Sequence, residues 1–402
     1  MIKITRFVST WLFAMVLAIP VKSMADADDT LNFVAGGGIR FEDNLFRLSD
    51  SVDASSFPGK PSKSDLIYSA NAGIKIDKPY AQQRFQLDLV ATQNKYQNNS
   101  FLDFTGLDYR AAWLWHLTPH ISGTVLAEQD QQLVNFADFR AFNDSNVQTN
   151  QVRVFNIDGE VGSGLHLIGG LLDVRSRNSQ NFTAVGNYVQ RGGEYGIKYI
   201  APSDSWISLV QRETQGEYRG RILDPVAQLD TGFEESETEA KLNWKLTGKS
   251  TIDARLSYLD RSHDHFSQRD YSGMTGKVEY QWAATGKLQF NASLARNLYS
   301  FQEATNSYYV ADTLSIGPVW KITAKTTLRA RYDYSDRDYR GAIVPVASLR
   351  QDTVHSFIMG ADWQATRTIL VSGILQRDIR ASNFNNLDYS ANAIGISAQL
   401  LF

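Results

Sequence analysis

Apolar and polar side chains alternate with a period of two along most of this chain. In the segment 251–258, Ile252 and Leu256 share one face, whereas Asp253 and Arg255 share the other. An α-helix would mix these two sets, but a β-strand keeps them on opposite faces. Because the pattern recurs in segment after segment, it predicts an antiparallel β-sheet with one apolar face and one polar face.

The breaks between these segments alternate in length. Eight short turns, such as Thr247-Gly248-Lys249, are interleaved with nine longer polar loops, and these 17 connections imply 18 strands. An even strand number with alternating short and long connections is typical of bacterial outer-membrane barrels, whose short turns face the periplasm. We therefore expect an all-β transmembrane antiparallel up-and-down barrel of about 18 strands, formed by residues 26–402. The predicted loops are 42–65, 94–103, 131–148, 177–187, 219–232, 261–269, 300–307, 339–350 and 380–388.

The first 25 residues have the pattern of a secretory signal peptide. Lys3 and Arg6 form a basic start, an apolar run follows from Trp11 to Val21, and the segment ends in Ser23-Met24-Ala25. This pattern predicts cleavage after Ala25. The alternative is an uncleaved anchor, for which the apolar run is short.

Composition excludes several classes of function. The 40 Lys and Arg residues balance 43 Asp and Glu residues, so the chain lacks the basic excess of a nucleic-acid-binding protein. The absence of cysteine excludes thiolate metal sites and thiol nucleophiles. Gly36-Gly37-Gly38 is not followed by the lysine of a phosphate-binding loop and is better interpreted as a sheet bend. We expect no cofactor, no metal site and no nucleic-acid partner.

Large aromatic residues recur just before the short turns. Such rings favour the headgroup zone of a membrane, because they combine an apolar body with a hydrogen-bonding tip. The alternative is a set of core tryptophans in a soluble sandwich, which would not favour one end of every second strand. The predicted periplasmic aromatic girdle comprises Trp115, Tyr199, Trp244, Trp282, Trp320 and Trp363.

The chain ends in an alternating apolar strand that finishes with Phe402. This ending resembles the signal by which the bacterial barrel-assembly machinery recognises its clients, so that machinery and outer-membrane lipid are expected partners. The residues of this predicted signal are Ile394, Ile396, Leu400 and Phe402.

The polar faces of the strands carry charges of both signs. An 18-stranded barrel is too wide for side chains to fill, so these groups are expected to line a wet lumen. They can stiffen the wall by pairing with one another, or they can guide a hydrophilic solute. The candidate lumen-lining residues are Asp88, Arg110, Asp158, Glu194, Lys198, Glu239, Lys241, Asp253, Arg255, Lys277, Glu279, Arg329, Arg331 and Asp333.

Several phrases resemble the EpsL-type outer-membrane proteins of exopolysaccharide operons, a β-barrel porin group linked to exosortase systems. They include Phe41-Glu-Asp-Asn-Leu-Phe-Arg-Leu-Ser-Asp50, Leu107-Asp-Tyr-Arg-Ala-Ala-Trp-Leu-Trp115 and Ser397-Ala-Gln-Leu-Leu-Phe402. The resemblance runs from about residue 30 to the end of the chain. It implies a role in the synthesis or export of an extracellular polysaccharide, and it transfers no catalytic residue.

Two clusters could carry chemistry. Ser262-His263-Asp264-His265 lies in a predicted extracellular loop and could hold a metal or a catalytic group, although a solvated loop explains it more simply. Glu235, Glu237 and Glu239 share one strand face and could form an acidic patch, for which a solvated rim is the simpler interpretation.

Three functions remain open from the sequence. The main hypothesis is a non-enzymatic, water-filled conduit for a polysaccharide in the outer membrane of a Gram-negative bacterium. The alternative is a general or solute-specific diffusion porin. The third is a barrel enzyme acting at the outer rim. Either loop 42–65 or loop 131–148 could fold inward and narrow the pore.

Overall fold

The computed structural model describes residues 30–53, 62–139 and 145–402, and it forms a closed barrel of 18 antiparallel strands. Each strand pairs with its neighbours in sequence, and β18 pairs with β1 to close the sheet. The expected fold is therefore confirmed. The predicted signal peptide lies outside the described residues. The strands are β1 (Leu31–Glu42), β2 (Asp65–Tyr80), β3 (Gln83–Tyr96), β4 (Phe104–Thr118), β5 (Ile121–Leu133), β6 (Val147–Gly162), β7 (Leu165–Asn178), β8 (Tyr188–Ile200), β9 (Trp206–Tyr218), β10 (Gly232–Thr247), β11 (Ser250–His263), β12 (Tyr271–Ala283), β13 (Leu288–Glu303), β14 (Asn306–Lys321), β15 (Thr326–Arg340), β16 (Gln351–Gln364), β17 (Ile369–Ser382) and β18 (Tyr389–Leu401).

The outer surface of the barrel is apolar at the level of the short turns and the strand middles. On β11, for example, Leu256 and Tyr258 are exposed, while Ser257 between them is buried on the inner face. Hydrocarbon cannot satisfy a free backbone N–H or C=O group, so a sheet crosses a bilayer only when every strand has a partner on both sides. The closed ladder and the apolar exterior together meet this condition. No helix in the described ranges is long and apolar enough to cross a membrane.

Nine loops connect the strands at the end opposite the short turns. We number them L1 to L9, and by analogy with other outer-membrane barrels this end is extracellular. They are L1 (43–64), L2 (97–103), L3 (134–146), L4 (179–187), L5 (219–231), L6 (264–270), L7 (304–305), L8 (341–350) and L9 (383–388).

L7 differs from its expected length. The predicted loop 300–307 is a two-residue connection, because β13 and β14 continue to a pairing between Glu303 and Asn306. The buried guanidinium of Arg269 donates to the backbone carbonyls of both these residues. Arg269 of L6 therefore stabilises the polar end of the β13–β14 hairpin, which the sequence of that hairpin does not mark as strand.

The glycine triplet 36–38 lies in β1, at the seam where the barrel closes. β1 pairs with β18 along residues 34–42 but pairs with β2 only along 31–33. The triplet thus begins three residues beyond Phe33, where the β1–β2 ladder ends.

Candidate functional site: the barrel lumen

The charged residues predicted to line the lumen occupy inward positions of their strands. The strand register places Asp88 opposite Arg110, and Lys241 opposite Arg255. Most of these charges pair with a neighbour: Asp88 with Lys75 at 3.7 Å, Lys277 with Glu279 at 2.5 Å, and Arg331 with Asp333 at 2.8 Å. Arg329 pairs with Asp362, and Asp253 accepts a hydrogen bond from Asn243. The wall is therefore a ladder of local ion pairs and hydrogen bonds.

The densest of these ladders lies on β8–β11, and Glu239 is at its centre. The Glu239 carboxylate is only 2% exposed, and it contacts Lys241 at 2.5 Å, Arg212 at 3.4 Å and Arg255 at 3.4 Å. Arg212 also binds Glu194 at 2.6 Å and Glu237 at 2.5 Å. A buried carboxylate needs such partners, because desolvation would otherwise exceed any gain from its charge. We call this set the Glu239 network.

The Glu239 network corrects the expectation of a solvated acidic rim. Glu235, Glu237 and Glu239 do share one face, as predicted. That face points into the lumen, and arginine and lysine side chains neutralise its negative charge. Arg261 binds Glu235 at 2.5 Å at the extracellular end of the same face. Arg212 is not among the predicted lumen residues, although its position in the alternation of β9, between Val210 and Thr214, marks it as an inward residue.

A second group surrounds Asp158 on β6–β8. Lys198 and the His166 imidazole, the latter at 2.6 Å, both contact this carboxylate. On β4 and β5, Arg110 binds Glu128 at 2.8 Å. A recess of about 490 Å³ opens at the periplasmic end of the lumen, where Lys75, Asp88 and Arg110 meet Arg367 and Gln399. Charges of both signs therefore border this recess.

The described parts of loops L1 and L3 fold inward at the extracellular end, as the sequence analysis considered for both loops. Leu45, Phe46 and Leu48 of L1 pack with Phe136 and Phe139 of L3 in one buried apolar cluster. Phe46 and Phe136 meet edge to face, with ring centroids 4.9 Å apart. Loops that bury aromatic side chains inside a barrel leave less room for solute.

The apolar contacts continue across the lumen through Phe182 of L4. Phe182 packs edge to face on Phe139 at 5.1 Å and on Phe301 of β13 at 6.2 Å. The first cluster also includes Tyr96 of β3, and β3 and β13 lie eight strands apart around the barrel of 18. A bridge of aromatic side chains therefore spans the extracellular end of the lumen. We call these packed parts of L1, L3 and L4 the constriction.

Asp138 of L3 is held on the far wall by arginines. Asp138 contacts Arg380 of β17 at 3.2 Å, and it contacts Arg350 of L8 and Arg337 of β15 at 3.6 Å each. Arg380, which is 1% exposed, also donates to the carbonyl of Ala137 and to the buried Asp352. We call Asp138 and its three arginines the clasp, because they join L3 to strands on the opposite side of the lumen.

Loops L5 and L6 form a separate polar contact. Asp230 of L5 accepts hydrogen bonds from the backbone N–H of His265 and Phe266, and its other oxygen contacts the His265 ring at 3.0 Å. Burial opposes ionisation, but these hydrogen bonds hold the pKa of Asp230 below its usual range, and Asp230 raises the pKa of His265. Burial lowers the pKa of the Arg269 guanidinium to about 10, and nearby Arg221 acts in the same direction.

The solvated loop that the sequence suggested is correct for Ser262, Asp264 and His265, which are exposed, but not for His263. His263 is buried, and its ring contacts Asp270 at 3.2 Å and Gln302 at 3.0 Å. The register places Ser262 on the outward face of β11 and His263 on the inward face, so the two do not form a nucleophile–base pair. Asp230, Asp264 and His265 bring ligand atoms within 4.8 Å of one another, but the Asp230 oxygens already accept hydrogen bonds from L5 and L6. This group joins two loops.

The predicted girdle residues lie near the short-turn ends of their strands. The outward-facing rings of Tyr199, Trp244, Trp282, Trp320 and Trp363 are exposed, and Trp115 is partly covered by Phe155, with ring centroids 6.1 Å apart. Further exposed rings near this end, including those of Tyr80, Phe85 and Trp113, follow the same alternation. Tyr80 comes just before a short turn, whereas Phe85 comes just after it.

The final strand is part of the barrel seam. Ile394 and Ile396 face outward and are exposed, and Leu400 pairs with Ala35. Phe402 exchanges two backbone hydrogen bonds with Phe33, at 2.6 and 3.0 Å, and the two rings stack. The recognition of this strand by the assembly machinery stays a prediction.

Residues 234–402 match a family model described as "Putative beta-barrel porin 2". The whole barrel is similar in fold to the structure of OpdK from Pseudomonas aeruginosa with vanillate, with a TM-score of 0.51 and 12% identity over 92% of this chain and 99% of that one. It is similar to OccK9 (OpdG) from the same organism, with a TM-score of 0.50 and 12% identity over 92% of this chain and 98% of that one. No curated protein matches the sequence.

The fold comparisons, the family match and the barrel geometry lead to the same conclusion. The apolar exterior belongs in a bilayer, the closed sheet satisfies its backbone there, and the inner wall is charged and wet. This chain is a porin-like β-barrel of the outer membrane of a Gram-negative bacterium.

Proposed function

We propose that the protein is a solute-selective diffusion channel, in which the constriction admits small hydrophilic solutes and the clasp selects among them. The observation that carries this proposal is the position of Asp138. Its carboxylate lies across the lumen from the strands that bracket L3 in sequence, and it is held there by three arginines. A narrow, charged crossing of this kind is where a diffusing solute must shed water and meet protein groups.

The clasp favours solutes that carry a carboxylate. Asp138 shows that the three arginines accept a carboxylate, and guanidinium groups pair with carboxylates through directed, charge-assisted hydrogen bonds. Arg337 keeps about a quarter of its side chain exposed (24%), and Asp138 keeps 30%. A solute carboxylate can therefore reach Arg337 and compete with Asp138 for it. Competition would loosen L3 at the moment the solute arrives.

The polysaccharide conduit, the main hypothesis from the sequence, is less well supported than this diffusion channel. Neither the family match nor the similar structures carry a polysaccharide role. In addition, aromatic side chains from three loops bridge the extracellular end, and a polymer would have to displace all of them to pass. A small solute could pass along the wall of paired charges without displacing those side chains.

Liposome swelling tests the proposal. Proteoliposomes containing the wild-type barrel should swell faster in gluconate than in glucose of matched osmolarity. Asp138→Asn should speed both solutes and widen that difference, because it leaves the three arginines free to bind the solute carboxylate. The matched control is Asp204→Asn, which lies on an exposed periplasmic turn and pairs with Lys245. Equal rates for gluconate and glucose in the wild type would exclude carboxylate selection. Wild-type vesicles that swell in neither solute would exclude a diffusion channel.

A further inference from the structure

One sector of the outer surface is basic where the apolar belt ends on the extracellular side. β6, β7 and β8 carry Arg153, Arg175, Arg177 and Arg191 at outward positions, with Asp173 as the single acid among them. The register aligns Arg153, Asp173 and Arg191 in one row across the three strands. The next outward row towards the periplasm contains Phe155 and Leu171, which pair with each other and are both exposed. The surface thus changes from apolar to basic within a single step of the sheet.

The four arginines differ in how they are held. Asp173 binds Arg175 and Arg191, each at 2.7 Å, and so fixes both guanidinium groups against the wall. Arg153 and Arg177 have no carboxylate partner among the residues that the structure describes, and both are exposed. An unpaired guanidinium beside hydrocarbon is costly unless an anion from the membrane neutralises it. We call these four residues the arginine face.

A groove lined by arginine and glutamine side chains adjoins the arginine face. It has a volume of about 730 Å³, and its lining combines Arg175, Arg177 and Arg219 with Gln129, Gln131 and Gln151. The Gln151 amide donates to Gln129 at 2.7 Å, and that of Gln131 donates to Thr149 at 3.0 Å. Side-chain amides and hydroxyls in such a row can exchange hydrogen bonds with the hydroxyl groups of a saccharide.

We propose that the arginine face and its groove bind the phosphorylated saccharide headgroup of a glycolipid in the outer leaflet. Arginine recognises phosphate through paired charge-assisted hydrogen bonds, and the neighbouring amides meet the sugar. The register places Arg177 four residues along β7 from the partner of Arg153, a separation of roughly 13 Å at the rise of a β-strand. Two phosphates carried on one disaccharide match two guanidinium groups set this far apart along the backbone, one phosphate to each group. The occupant is accordingly a bis-phosphorylated glycolipid.

This inference depends on the outer-membrane location and is independent of the proposed transport function. β9 carries Glu213 and Glu217 on its outward face, so carboxylates border the arginine face on one side. The binding test is therefore performed in EDTA, which prevents divalent cations from bridging those carboxylates to a phosphate.

The test uses native mass spectrometry of the full-length barrel in detergent, with diphosphoryl lipid A as the probe and monophosphoryl lipid A as the comparison. The wild type should retain the diphosphoryl form about tenfold more tightly than the monophosphoryl form, since one charge-assisted contact is lost in the latter. Arg153→Gln/Arg177→Gln should remove this preference. The matched control is Arg340→Gln/Arg377→Gln, which neutralises two exposed outward arginines of β15 and β17 and should leave retention unchanged.

Several results would overturn the inference. They are equal retention of the two lipids by the wild type, unchanged retention by Arg153→Gln/Arg177→Gln, and an equal loss in the control variant. Competition by millimolar inorganic phosphate would show a site for free phosphate instead of a lipid. Heat-modifiable migration checks that each variant is folded. If the double variant fails to fold, the comparison of the two lipids on the wild type still tests the inference.

Discussion

The two ends of the lumen hold their charges in different ways. At membrane level, as in the Glu239 network, each charge pairs with residues on its own strand or on strands close by in the sheet. At the extracellular end, Asp138 pairs with arginines of β15, β17 and L8, which lie across the lumen. The first arrangement stiffens the wall and leaves the centre free, whereas the second places protein in the centre.

For the proposed channel, this difference indicates which end of the lumen would select solutes. A wall of neighbouring ion pairs presents both signs to water and changes little when a solute passes. A loop held by contacts across the lumen has two states, held and released, and its contacts are of the kind that a solute can replace. We therefore assign the barrier to the extracellular end and the conduction path to the wall.

The largest expected effect comes from removing the aromatic bridge. Phe46→Ala/Phe136→Ala deletes two buried rings, each substitution costing about 3–5 kcal/mol of local packing. Single-channel conductance in planar bilayers should rise severalfold, while the barrel keeps its heat-modifiable migration because the strand ladders are untouched. The control, Phe85→Ala, removes an exposed outward ring and should leave conductance unchanged. Unchanged conductance in the double variant would place the barrier elsewhere.

Substitutions in the charged wall of the lumen should instead lower the stability of the barrel. Glu239→Gln leaves Arg212, Lys241 and Arg255 without their shared buried partner, and we expect the free energy of unfolding in urea to fall by about 3–5 kcal/mol. Glu279→Gln removes a half-exposed partner of Lys277 and should cost at most about 1 kcal/mol. Conductance should change little in either variant. A stability loss of equal size in both would mean that the Glu239 network is no more than a surface ion pair.

The smallest effect concerns the L5–L6 contact and depends on pH. The raised pKa of His265 means that its charged contact with Asp230 is complete below its usual value of about 6.5 and is lost as the pH rises through the higher folded value. The lowered pKa of Asp230 keeps that carboxylate ionised down to below about 4. Open–closed fluctuations of single channels should therefore increase as the pH rises above about 6.5, through the raised folded pKa of His265. His265→Asn should show no such pH dependence, and a pH response that survives in this variant would assign it to another group.

Much of the barrel could be predicted from the sequence, because the information is local. The alternation in β11 separates Leu256 from Arg255, and the turn at Thr247-Gly248-Lys249 fixes the next strand, so strand number and inward faces follow from neighbours along the chain. The pairing of Lys241 with Arg255 in register follows from the same turn.

The constriction could not be predicted in this way. Asp138 and Arg380 lie 242 residues apart. The alternation of apolar and polar residues within a strand does not relate a loop residue to a strand on the far wall. The extension of β13 to Glu303 depended on Arg269 of L6, which binds its backbone from outside the hairpin. The sequence could name L1 and L3 as loops able to fold inward, but the partners that hold them are set by closure of the barrel.

A double-mutant cycle on single-channel conductance tests the central claim, that the clasp holds L3 across the lumen. Asp138→Asn and Arg380→Gln each break it from one side, so each should raise conductance, and the double variant should raise it no further than the stronger single variant. Effects that simply add, or single variants that conduct like the wild type, would show that Asp138 and Arg380 do not hold the loop together.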